Sequence, residues 1–288
     1  MRKTLLILII VLAFFGFGGC AQQETPAQIA ATTLPVYDFT SALCQNTGLT
    51  VTRLITEEVS CLHDYSLQTK QMRAIEGAQC VIISGGGLED FLDGIMEGKP
   101  LIDASQGISL QCGHEHEHGD HHHENDPHYW LDPVNAKHMV RNLCQELTKL
   151  YPEHSDQFTR NETQLLEKLN ALDRYAKESL ENLSCRDLIT FHDGFAYLAQ
   201  AYDLHIMKAI EEESGSEASA AELIDIIGLV KAHRLPAIFT ERSGSTSSAG
   251  IIANETGVAI YSLDMAMSGE SYFEAMYYNI DTLKEALG

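Results

Sequence analysis

Seven of the chain's thirteen histidines lie between Gly113 and Pro133, in GHEHEHGDHHHENDPHYWLDP. Six of them, His114, His116, His118, His121, His122 and His123, alternate with or abut acids beside Gly113 and Gly119, a composition for a polar loop that can collect metal ions. His128 differs. It stands between two prolines and beside the only tryptophan, so its backbone is stiff and its neighbours are bulky. A mobile tract can catch a cation, whereas a fixed imidazole can define a site. Three further groups follow strand-like segments: His63 after VTRLI and the loop behind it, His192 directly after DLITF and Asp264 directly after AIYSL. Open parallel sheets bind ligands beyond the carboxyl ends of their strands, so His63, His128, His192 and Asp264 are the candidate ligands. They succeed one another at intervals of 65, 64 and 72 residues. Three imidazoles and a carboxylate suit a borderline divalent ion such as Zn2+ in tetrahedral array, while Mn2+ favours more oxygen. Taken singly, each histidine is more often a hydrogen-bonded structural residue, and an acid after a strand often caps the next helix.

The elements that must position these groups alternate along the chain. QIAATTLPVYDF reads as a first strand followed by a helix through Leu43 and Cys44, with a second strand at 51–55. A helix over 68–76 follows, with Met72 and Ile75 facing inward. CVIISGGG (80–87) reads as a strand buried on both faces, LEDFLDGIM as a helix and LIDAS (101–105) as a strand. From Pro133 to about Leu183 the pattern is almost all helical, and the run beginning at Asp156 contains no Gly or Pro. Such a helix would extend about 40 Å and span two domains. Strands at 187–191, 205–210, 237–240 and 259–263 then alternate with helices to Leu287. The predicted fold is α/β: two lobes, each with a roughly four-stranded parallel sheet flanked by helices, joined by one long helix. The predicted division is an N-terminal lobe over 28–154 carrying the histidine-rich loop 113–125, a linking helix over 155–184 and a C-terminal lobe over 185–288.

Residues 1–20, MRKTLLILIIVLAFFGFGGC, carry two cations before an apolar run and end in small residues and a cysteine. That is an export signal, and residues 21–27 read as a tether. Cys20 is similar to the lipid-modified residue of a bacterial lipoprotein, although Phe17 stands where an aliphatic residue is usual; a plain signal peptide is the alternative. The expected location is extracytoplasmic, lipid-anchored to the bacterial cell membrane through Cys20. The net charge of −22 becomes −24 once Arg2 and Lys3 are removed, which excludes nucleic acid as a natural partner and favours cations. Six cysteines remain, Cys44, Cys61, Cys80, Cys112, Cys144 and Cys185, which allow disulfides (a Cys61–Cys112 bridge is conceivable) or buried free thiols.

LHDYSL, DPHYWLDP, TFHDGFAYLAQAYDL, PAIFTE and the final YSLD resemble the metal-binding lipoproteins that deliver zinc or manganese to ABC importers, through nearly all of the mature chain. The resemblance implies ligands at His63, His128 and His192, with Asp264 completing the shell. It also implies zinc as the transported ion, because histidine stands at 192 where many manganese members carry glutamate. The expected partner is an ABC importer permease, the expected state a monomer, and a rigid linking helix would limit closure to a slight tilt. TERSGS lacks the family's usual proline after the glutamate, so Glu241 is open between a supporting role and plain surface. The alternatives are a manganese-binding protein of the same fold, or a passive zinc buffer or adhesin acting through the loop. An enzyme is not expected. His114, Glu115 and His118 satisfy H-E-x-x-H, but a glycine-flanked polar tract can hardly hold the helix that motif requires.

Overall fold

The computed structural model describes residues 27–59, 62, 65–95, 98–112, 125–210, 218–242, 244 and 246–288. The export signal with Cys20, most of the tether, Cys61, His63 and the histidine-rich tract 113–124 lie outside the described residues. Eight strands form two sheets. The first contains β1 (Ile29–Ala31), β2 (Val51–Arg53), β3 (Cys80–Ile83) and β4 (Leu101–Asp103), in the order β2-β1-β3-β4. The second contains β5 (Asp187–Thr190), β6 (His205–Ala209), β7 (Ala237–Glu241) and β8 (Ala259–Leu263), in the order β6-β5-β7-β8. Every strand pair is parallel. The helices are α1 (Leu34–Leu43), α2 (Thr69–Gly77), α3 (Pro133–Leu150), α4 (Ser155–Leu180), α5 (Ala196–Ala201), α6 (Ala220–His233), α7 (Ser247–Thr256) and α8 (Tyr272–Leu287). This is the expected α/β fold of two four-stranded parallel sheets flanked by helices. No helix among the described residues is long and apolar enough to cross a membrane.

The long helix α4 has 26 residues, about 39 Å at 1.5 Å per residue. Phe158, Leu165, Leu169, Leu172, Ala176 and Leu180 form one buried stripe, and α4 packs against α1, α3 and α8. Each fully buried leucine contributes on the order of 2 kcal/mol. Asn161 is the polar member of the stripe; its Nδ2 donates to the carbonyls of Leu43 (2.7 Å) and Gln45 (2.8 Å) and so satisfies the C-terminal end of α1. One apolar core runs from Ile29 to Leu287 through both lobes, and a second sits within the C-terminal lobe around Ile226, Ile238 and Ile252.

Three expectations change, and one boundary is refined. The first strand ends at Ala31, and LPVYDF belongs to α1, because Pro35 supplies a fixed helical φ in the first turn. LEDFLDGIM yields only a 3₁₀ turn, Asp90–Leu92, since Gly94 takes φ 77° and Glu89 turns inward. The linking helix expected over 155–184 begins at Ser155, set off from α3 by a turn at Pro152, and ends four residues early, at Leu180. In α2, Gln71 is buried in place of Met72, which is 39% exposed: the Gln71 side chain bonds the Leu54 carbonyl and the Tyr65 hydroxyl while also closing the capping box with Gln68. Cys44, Cys80, Cys112, Cys144 and Cys185 are free thiols, so no disulfide joins any two of them.

Candidate metal centre

In a 2-1-3-4 sheet the chain leaves adjacent strands in opposite directions, which opens a crevice between β1 and β3, and likewise between β5 and β7. The first crevice is filled by the protein itself. The Glu89 carboxylate accepts from Thr32 Oγ1 (2.6 Å), Ser84 N (2.8 Å) and Gly85 N (2.9 Å). Gly85 has φ 78°, and a Cβ there would collide with the side chains of Asp103 and Ser105. Burial pushes the Glu89 carboxyl up to about 7 in spite of these three hydrogen bonds, with the Asp103 charge adding to the rise. The second crevice is where His192 emerges, directly after β5 and Phe191, and it faces the other lobe.

His128 reaches that place from the first lobe. Asp126 Oδ1 accepts from the His128 backbone N (2.9 Å) and lies 2.8 Å from Nδ1, so Nδ1–H donates and Nε2 keeps its lone pair. The next residues, Tyr129, Trp130 and Leu131, form a 3₁₀ turn and are fully buried. Tyr129 donates to the Ser84 carbonyl at the end of β3 (2.5 Å), and Trp130 Nε1 donates to the Met265 carbonyl in the second lobe (2.9 Å). Tyr272 OH closes the arrangement on the Trp130 carbonyl (2.8 Å). The turn carrying His128 is therefore held by both lobes. Tyr197 on α5 adds a further tie: its hydroxyl donates to the Asp126 carbonyl (3.0 Å) and accepts from Gln111 N (2.7 Å). Because Asp126 N also donates to the Gln111 carbonyl (2.9 Å), the two ends of the histidine-rich segment are clasped beside the site.

The fold brings His128 and His192 together. Both are buried, their ring centroids are 5.2 Å apart, and the planes stand at 88°. Gly194 makes room for the pair. A Cβ at 194 would lie 2.7 Å from His192 Cδ2 and 3.0 Å from His128 Nδ1, and it would collide with Met265 Cε. Two edge-to-face imidazoles, one oriented by a carboxylate, are nitrogen donors of the kind a borderline divalent ion takes, so their chemistry fits such an ion.

Asp264 is held apart from this pair. Asn279 clamps its backbone from both sides, accepting from N (2.7 Å) and donating to O (2.7 Å). Its Oδ1 accepts from Ala266 N (2.8 Å), and its Oδ2 lies 3.1 Å from Arg242 Nη1. It does not cap the following helix; Ser271 does. Among the described residues no three His, Cys, Asp or Glu side chains gather closely enough to hold an ion. Asp264 and Glu241 instead line a cavity of about 360 Å³ together with Glu58, Arg242, Glu270 and Glu274. Glu241, at the end of β7, is buried, which removes the plain-surface reading. Asp126, Gly194, Tyr197 and Arg242 were not singled out from the sequence. Only Asp126 carried a signal there, an acid two positions before the histidine in NDPH.

The sequence profile described as zinc-uptake complex component A, periplasmic, matches residues 29–286. The zinc-binding lipoprotein AdcA of Streptococcus pneumoniae serotype 4 is 29% identical over 307 residues, covering 99% of this chain and 61% of that protein. The chain therefore spans under two thirds of that relative's length. A crystal structure of ZnuA superposes with a TM-score of 0.79 at 26% identity, covering 91% of this chain and 100% of that one. The solute-binding protein FpvC from Pseudomonas aeruginosa in complex with Mn2+ superposes at 0.80 with 25% identity, covering 91% and 98%. With residues 29–286 of its 288 matched, the chain belongs to the zinc-uptake complex component A family, whose members are metal-binding solute-binding proteins and not enzymes.

Proposed function

We propose that the protein is an extracytoplasmic carrier that captures Zn2+ between its lobes and hands it to an ABC importer, anchored to the membrane through Cys20. His63, His128 and His192 coordinate through imidazole nitrogens, and Asp264 supplies the fourth ligand and a negative charge. The observation that carries this reading is the buried His128–His192 pair with Asp126 on Nδ1, since orientation by a carboxylate leaves Nε2 ready to ligate. The zinc named for AdcA supports the choice of metal. A manganese carrier is the second reading, favoured by the likeness to the Mn2+ complex of FpvC.

The test is a zinc titration, with manganese as competitor, on chelator-stripped mature protein lacking Glu115–His123. One tight zinc site that manganese does not displace is the expected result. Preference for manganese keeps the fold and changes the cargo. Absence of any tight site makes the histidine-rich segment the binder and refutes the cleft.

A further inference from the structure

Arg242 was not among the groups expected to act, yet it lines the same cavity as Asp264. Its backbone N donates to the Leu263 carbonyl (2.9 Å), which ties the end of β7 to the end of β8. Its guanidinium lies over the Tyr278 ring at 4.8 Å, and Nη1 reaches Asp264 Oδ2 at 3.1 Å. The stacking holds the side chain in one direction although it is 59% exposed. Among the described residues lining the cavity, Glu58, Glu241, Asp264, Glu270 and Glu274 are acidic and Arg242 is the one cation. A cavity so charged concentrates cations, and the first cation to meet Asp264 is the protein's own.

Both oxygens of Asp264 are engaged, one by Arg242 and the other by Ala266 N. A divalent ion can take Asp264 as a ligand only by displacing the guanidinium from Oδ2 or by sharing that carboxylate with it. Resting on Asp264 as fourth ligand, we propose that Arg242 is an internal counter-ion for Asp264, so that metal capture and release proceed by exchange of two cations on one carboxylate. The arrangement has a use in a carrier. When the ion leaves, Asp264 is not left as an uncompensated charge in a largely enclosed position, because Arg242 returns to it. The cost is affinity: part of the attraction between Asp264 and the metal is spent on breaking an existing ion pair.

The experiment is a double-mutant cycle on zinc affinity and dissociation rate, using the mature chain with R242Q, D264N and both together, and R242K as the charge-retaining control. Thermal melts establish that each variant folds. R242Q is expected to tighten zinc binding about three- to five-fold, the range set by an exposed ion pair, and to slow dissociation by a similar factor. The gain should disappear in the D264N background, and R242K should resemble the wild type. A purely structural role for Arg242 could weaken binding but not tighten it. If D264N weakens binding while R242Q changes nothing, the exchange is wrong and the ligand set stands. If the R242Q gain persists in D264N, Arg242 acts only on the general field of the cavity, and the exchange is again wrong. If D264N leaves affinity unchanged, Asp264 is not a ligand, and both the exchange and the fourth ligand are refuted.

Discussion

Replacing Gly194 by alanine tests the histidine pair most sharply, because one methyl group meets both rings at once. Its Cβ would stand 2.7 Å from His192 Cδ2 and 3.0 Å from His128 Nδ1, where ordinary contact begins at 3.4 Å. The rings must therefore give way by about 0.7 and 0.4 Å respectively, a displacement that exceeds the tolerance of roughly 0.2 Å on a metal–ligand distance. Neither ring can move cheaply. His128 is held by Asp126 and by the fully buried Tyr129–Trp130 turn, and His192 is buried at the end of β5. Met265 Cε also meets the new methyl, but that contact is the end of a flexible side chain and can swing aside. Overpacking of this kind costs about 1–3 kcal/mol, and zinc affinity in a competition titration should fall by roughly 10- to 100-fold. A second variant, G194A with M265A, relieves the methionine contact and leaves both histidine contacts. It should recover part of the thermal stability and little of the affinity. Wild-type zinc affinity in G194A, with the fold intact, would refute the claim that His128 and His192 bind the ion together.

Three further outcomes follow from contacts around the site. Asp126→Ala removes the acceptor that orients His128 Nδ1, and zinc affinity should drop about 10- to 100-fold by competition titration; a change within two-fold would show that Asp126 does not support a ligand. Glu89 has its pKa raised from 4.5 to about 7 by burial, so its contribution to stability is fully present below about pH 4.5 and is lost as pH rises through 7. Unfolding free energies from urea titrations across that window should decline by on the order of 3 kcal/mol at most in the wild type and flatten in Glu89→Gln; identical slopes would count against a protonated Glu89. Trp130→Phe deletes the N–H that satisfies the buried Met265 carbonyl between the lobes, at a cost of about 1–3 kcal/mol by chemical denaturation, and an unshifted midpoint would mean that water or a neighbour replaces it.

Strand-helix alternation made the two parallel sheets legible from the sequence, because continuous apolar runs such as Cys80–Ile83 and Ala237–Thr240 can only be buried on both faces. The same logic put His192 and Asp264 at strand ends, where they are found. Local pattern misled where a polar residue competed for burial. Gln71 displaced Met72 because its amide satisfies the carbonyl of Leu54, and Glu89 drew its segment inward because three donors at the ends of β1 and β3 await a carboxylate.

What composition and spacing determined by themselves was the kind of chemistry: an acidic, histidine-bearing chain of two α/β halves suited to a borderline divalent cation. Which groups meet was decided only by the tertiary structure. His128 and His192 are 64 positions apart in the chain, and their 5.2 Å approach depends on Trp130 docking on Met265 across the lobes and on Gly194 leaving space between them. Arg242 and Asp264 pair because β7 and β8 lie side by side in register, Glu241 opposite Leu263, so that the residue following each strand meets its neighbour. Such contacts arise from long-range packing, which carries no periodic signal in the sequence, whereas a strand or a helix writes its period into every few residues.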